Sequence, residues 1–243
     1  MHKILPSKSI SLKSEEIIKE DHSKLKKKAV FFHSTFGTVS PVEKAFKEQF
    51  PDVQLVSLAE DGILPEVIAN NGVPTPAIVK RLVEYAGMAQ ENGASVFVCV
   101  CTTLGMAMRY AQKALSIPLV MIDAAMLRRA VTLGKRIALL ITFPPTERAS
   151  LAAAREFAKE AGRDDVQIDI ITVEGAREAM MRGETEEHDR LIAEVAHKAA
   201  ECHDVIALAQ VSMLNAANLC TDLTVPVLTS LESGIAQLEE YLK

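Results

Sequence analysis

The sequence predicts an α/β protein made of two four-stranded parallel-sheet units, and three observations carry that reading. Short apolar runs rich in valine, isoleucine and phenylalanine are bounded by turn residues, as strands buried on both faces require. These runs alternate with stretches whose apolar residues recur at helical spacing, which argues for parallel pairing through right-handed crossovers. The whole pattern starts again at Arg136, so the chain reads as an internal duplication.

The first strand is expected at 29–32, breaking at the polar turn that holds His33, Ser34 and Thr35. Ser40-Pro41-Val42-Glu43 then supplies an N-cap, a proline at the first helical position and a glutamate three residues after the cap. A second strand is expected at 53–58. Thr75-Pro76 opens a helix whose inner face is Ile78, Leu82, Val83 and Ala86. The run 96–104 is the third strand, with Cys101 at its C-terminal edge ahead of Thr102, Thr103 and Gly105. A helix carrying Met106, Ala107 and Tyr110 follows, and 118–122 is the fourth strand.

In the second half, 137–141 is a strand ending at Thr142, and an alanine-rich helix follows with Ala154 and Phe157 inward. A strand at 165–171 mirrors the one at 53–58. Thr185 is the expected cap of a helix whose core face is Leu191, Ile192, Val195 and Ala199. The run 205–213 stands where 96–104 stood, 225–228 repeats 117–120, and a last helix covers 234–242. Overlaid at their third strands, the halves put Gln210 opposite Cys101 and Ser212 opposite Thr103. If the units face each other about a pseudo-twofold axis, the C-terminal ends of both sheets meet at one cleft, where open α/β sheets bind their ligands.

Composition narrows the function classes. The net charge of −5, from 27 basic and 32 acidic residues, gives no extended basic field, and nucleic acid is excluded as an expected partner. The longest apolar runs are strand-sized, so no membrane partner is expected. The first residues lack a secretion signal's apolar core, and with four cysteines this points to reduced thiols in the cytoplasm. Residues 1–28 read as a polar N-terminal arm. The lysines at its end fit either a solvated face or an anionic partner. Neither the spacing of Cys99 and Cys101 nor the adjacent Cys202-His203 suits a metal site, so no metal is expected. No glycine-rich dinucleotide fingerprint and no phosphate loop is present, in keeping with chemistry that needs no cofactor.

Cys101-Thr102-Thr103 after the third strand, with Ser212 at the matching place in the second half, resembles the signature of the aspartate/glutamate (hydantoin) racemase superfamily. That superfamily includes maleate isomerase and arylmalonate decarboxylase. The resemblance covers 29–243. It implies a pair of flavodoxin-like units, divided as 29–123 plus 230–243 and 124–229. It also implies a cofactor-independent isomerase, a homo-oligomer, and proton transfer at the carbon acid of a small carboxylate or carbonyl substrate. Such enzymes carry one thiol in each half, because inversion needs one group to remove a proton and another to deliver one on the opposite face. Gln210 holds the second cysteine position, and an amide does not titrate near neutral pH.

Three readings follow from that departure. One-sided chemistry would use Cys101 as the proton-transfer group and Gln210 as a hydrogen-bond donor, as in an isomerase or a decarboxylase. A racemase would draw its second proton from His33 or His188. A metabolite-binding protein would need neither. Cys101 and Gln210 are therefore the candidate catalytic residues. The thiol is expected to be drawn toward neutrality by the helix start that follows it. His33, Ser34, Thr35, Thr102, Thr103, Thr142, Ser212 and His188 are the candidate substrate-binding residues, with helix capping, loop structure or surface exposure as the competing role for each. Cys99, Cys202 and Cys220 read as structural. Met106, Met126, Met180, Met181 and Met213 read as core filler.

Overall fold

The computed structural model describes residues 27–243, so all but the end of the expected N-terminal arm lies outside the described residues. Strands β1 (Lys28–His33), β2 (Gln54–Ala59), β3 (Val96–Cys99) and β4 (Leu119–Met121) form one sheet in the order β2-β1-β3-β4. Strands β5 (Arg136–Ile141), β6 (Gln167–Thr172), β7 (Val205–Leu208) and β8 (Val227–Thr229) form the other in the order β6-β5-β7-β8. Every pairing is parallel, and the registers repeat: Phe32 lies beside Cys99 in one sheet as Leu140 lies beside Leu208 in the other.

Burial explains why the central strands were legible as unbroken apolar runs. β3 and β7 are buried at every residue, and β1 and β5 at all but the first, because helices cover both faces of each sheet. β2 and β6 are edge strands, only half-buried, and their sequences are correspondingly mixed.

The connections are α1 (Val39–Gln49), α2 (Ile63–Ala69), α3 (Pro76–Glu91), α4 (Gly105–Gln112) and α5 (Ala124–Leu133). They continue with α6 (Glu147–Glu160), α7 (Ala176–Met181), α8 (Thr185–Ala200), α9 (Ser230–Ala236) and α10 (Glu239–Leu242). Phe46 of α1 joins Leu231, Ile235 and Leu238 in a cluster on one face of the first sheet. Ile78 and Leu82 of α3 cover its other face. In the second sheet, α5 and α6 cover one face through Met126, Leu127 and Ala154, and α8 covers the other through Ile192 and Ala196. The C-terminal α9 therefore returns to the first half, where it packs on α1, while also touching α5. Gly234 makes that return possible, since a Cβ there would stand 2.1 Å from the Ile122 carbonyl oxygen.

Several local expectations are corrected. Thr75 caps α3 as expected, accepting from the Ile78 N–H at 3.3 Å. Ser40 is no cap, because a 3-10 turn at Phe36–Thr38 feeds α1 two residues earlier, with Thr38 at the cap position. Glu43, the expected cap partner, instead accepts a hydrogen bond from the Ser57 hydroxyl at 2.7 Å. Thr185 is the first residue of α8, with Glu184 at the cap position. The last helix is two helices, α9 and α10. Lys28, expected in the arm, begins β1. Tyr110 of α4 is exposed, and so is Cys202, just beyond the end of α8.

Candidate active site

At the C-terminal end of β3 the backbone leaves the sheet in the same way as at the end of β7. The Val100 N–H donates to Phe32 O, and the Ala209 N–H donates to Leu140 O. Cys101 and Gln210 then follow in extended conformation, each ahead of a 3-10 turn. Leu104 N–H closes the first turn onto Cys101 O at 3.1 Å, and Met213 N–H closes the second onto Gln210 O at 2.9 Å. The duplication therefore delivers both side chains to equivalent places, and both line one cleft of about 420 Å³ between the halves.

Cys101 is half-buried, with Sγ 2.9 Å from the Thr103 hydroxyl. Burial pushes its thiol above the ordinary range, against the opposing pull of the Ser34 and Thr103 hydroxyls and the Thr103 and Leu104 amides. The expected shift toward neutrality is thus reversed, because desolvation outweighs the donors. Cys99, deeper on the same strand, is fully buried and pushed up further, also by burial. The Thr102 hydroxyl is committed behind the turn, donating to Asp123 Oδ2 at 2.8 Å. Asp123 is itself buried, which raises its carboxyl. Behind this turn lies a second cavity of about 480 Å³, bordered by Thr102, Thr103 and Asp123.

Gln210 has a fixed orientation. Its Oε1 accepts from the Thr142 N–H at 2.8 Å and from the Thr142 hydroxyl at 2.7 Å. A main-chain N–H can only donate, so the atom facing it must be the amide oxygen, and the NH₂ group is left as the donor at the cleft. Thr142 thus serves the site by aiming Gln210.

Ser34, Thr35, Thr103, Thr142, Ser212 and His188 also line the cleft. His33 does not. Its side chain is fully buried and stacks on Phe31 with ring centroids 6.5 Å apart. Thr38 uses its one hydroxyl proton on Thr35 O, so it accepts from His33 Nδ1 at 2.9 Å. Burial lowers His33 to about 4 despite the nearby charge of Glu43, and the ring is neutral at physiological pH. His33 is therefore a packed strand-end residue rather than a wall residue, because β1 sends alternate side chains to opposite faces and its neighbour Ser34 takes the cleft side.

His188, on the first turn of α8, is fully buried, and its Nδ1 lies 2.8 Å from Asp189 Oδ1. Among the described residues its Nε2 has no hydrogen-bond partner.

The cleft also contains residues that periodicity did not single out. Arg177 of α7 holds its guanidinium 4.0 Å from the centroid of the Phe143 ring, and both line the cleft with Met180 and Met181. The two methionines are a correction: Met181 is 75% exposed and neither is core filler. Asn215 completes the polar wall beside Ser212. Their signal was weak because α7 is too short to show a helical period. Among the described residues, no group of three or more His, Cys, Asp or Glu side chains could hold a metal ion.

The fold has solved counterparts. Glutamate racemase from Aquifex pyrophilus is similar with a TM-score of 0.61 and 21% identity, over 89% of this chain and 84% of that one. An aspartate racemase homologue from Pyrococcus horikoshii is similar at 0.63 and 18%, over 89% and 98%. Allantoin racemase from Klebsiella pneumoniae is similar at 0.61 and 15%, over 88% and 86%. No curated protein matches the chain significantly by sequence. The family model described as Asp/Glu/Hydantoin racemase matches residues 33–238, from the end of β1 to the turn before α10. Because that match runs through both sheets and both strand-end turns, the chain belongs to the Asp/Glu/hydantoin racemase family.

Proposed function

We propose that this racemase-family protein is a cofactor-independent enzyme that transfers a proton at the carbon acid of a small carboxylate or carbonyl compound, with Cys101 as its single thiol. The observation that carries the reading is the shared cleft, into which the duplication brings Cys101 from one half and Gln210 from the other. Removing a proton next to a carbonyl leaves an electron pair that moves onto oxygen. A fixed amide donor stabilises that charge without any reorganisation of its own. Gln210 supplies such a donor, because Thr142 holds its oxygen. Ser34, Thr35, Thr103 and Ser212 offer hydroxyls for the substrate's carboxylate or carbonyl.

Glutamate, aspartate and allantoin are the first substrates to test, being those of the similar racemases. Incubation in deuterium oxide, followed by proton NMR, reads proton transfer directly. Cys101→Ser is expected to slow deuterium incorporation on the face that Cys101 serves by about 10²–10⁴-fold. Incorporation at the wild-type rate at every exchangeable carbon position would contradict the role given to Cys101.

A further inference from the structure

We infer that His188 is the second proton-transfer group of the cleft, taking the place that Gln210 cannot fill. The inference rests on the reading of Cys101 given above and deepens it from single-thiol exchange to inversion at carbon. Three observations carry it. The imidazole is fully buried yet lines the same cleft as Cys101, and it comes from the opposite half of the molecule. Its Nδ1 meets the Asp189 carboxylate at 2.8 Å, and since a carboxylate accepts, Nδ1 carries a proton, so that Nε2 is the nitrogen that would exchange a proton with a substrate. That Nε2 is a buried polar atom with no partner among the described residues, a cost that a ligand in the cleft would remove. The alternative histidine, His33, is absent from the cleft wall.

The two groups are complementary in the resting state. Burial favours the protonated thiol of Cys101, a donor, and the Nε2 of His188 that faces no partner is the acceptor. In one direction the C–H bond on the His188 face breaks and its proton goes to Nε2. The electron pair passes into the adjoining carbonyl, and the proton leaving Sγ forms the new C–H bond on the other face. Imidazolium and thiolate remain, and they run the reverse reaction or reset by exchanging protons with water.

The test follows both enantiomers of glutamate, aspartate, allantoin and 5-benzylhydantoin in deuterium oxide, reading interconversion by chiral chromatography and exchange by NMR. The wild type should interconvert at least one pair. His188→Gln should lower that interconversion by about 10²–10⁴-fold while exchange on the Cys101 face continues through the thiolate that Cys101 forms on losing its proton to water, which also shows that the cleft is intact. Asp189→Asn, which keeps the imidazole but replaces the carboxylate beside Nδ1 with an uncharged amide, should show the same split at smaller amplitude. Undiminished interconversion in His188→Gln overturns the inference, as does loss of both exchanges in both variants. Wild-type exchange on one enantiomer without any interconversion overturns His188 and leaves Cys101 standing. No exchange by the wild type on any of these probes overturns both.

Discussion

Two opposing effects act on the Cys101 thiol, and burial outweighs the hydroxyls and amides that would favour the thiolate. Since alkylation requires thiolate, Cys101 should react slowly at neutral pH, and its rate should keep rising above the range of a free thiol. Exposed Cys202 should be modified first by iodoacetamide, and buried Cys99 and Cys220 only on unfolding. Mass spectrometry of peptides alkylated between about pH 7 and 10 checks this order, and a Cys101 that reacts fastest at neutral pH would contradict it. The place of Cys101 was legible in sequence as a thiol at a strand end, but the direction of its shift was not, because burial depends on what the other half of the chain lays over it. Gln210 was legible in the same way as a missing thiol. Its orientation was not, since that comes from Thr142, far away in sequence. Thr142→Val removes the hydroxyl bond but keeps the N–H bond, so it should cost only about 0.5–1.5 kcal/mol in urea unfolding. A larger loss would mean that the hydroxyl supports more than Gln210.

Among the elements, the central strands were the most legible and the helix termini the least. β1, β3, β5 and β7 are sandwiched between helices, and such burial demands apolar residues at every position. Caps are contested by other partners: Thr38 turns to the neighbouring His33 and Thr35, and Glu43 turns to Ser57 on β2. α7 is too short to show a helical period, so nothing in the sequence points to Arg177, and Met180 and Met181 read as core rather than as cleft wall. The approach of α9 to β4 is the tightest test of packing at this scale. Gly234→Ala would drive a Cβ to 2.1 Å from Ile122 O, so α9 must move. A loss of roughly 1–3 kcal/mol in urea unfolding is expected, and an unchanged midpoint would contradict the packing described.

At the scale of the whole molecule, the duplication does the decisive work. A single α/β unit places polar residues at one sheet's edge, but two units facing each other turn two weak strand-end motifs into opposite walls of one cleft. The repeat of 96–104 in 205–213 made this legible without any structure. What the overlay did not disclose is that β1 turns His33 inward, or that α8 brings His188 to the wall from outside the repeated motif. Chemistry in this cleft is therefore expected to depend on the one thiol at its edge, Cys101. The most direct measurement is deuterium incorporation at the carbon acid of glutamate, aspartate and allantoin, wild type against Cys101→Ser. Incorporation by the wild type and a loss of about 10²–10⁴-fold on one face in the variant are expected. Equal incorporation by the two proteins on every face would contradict that dependence.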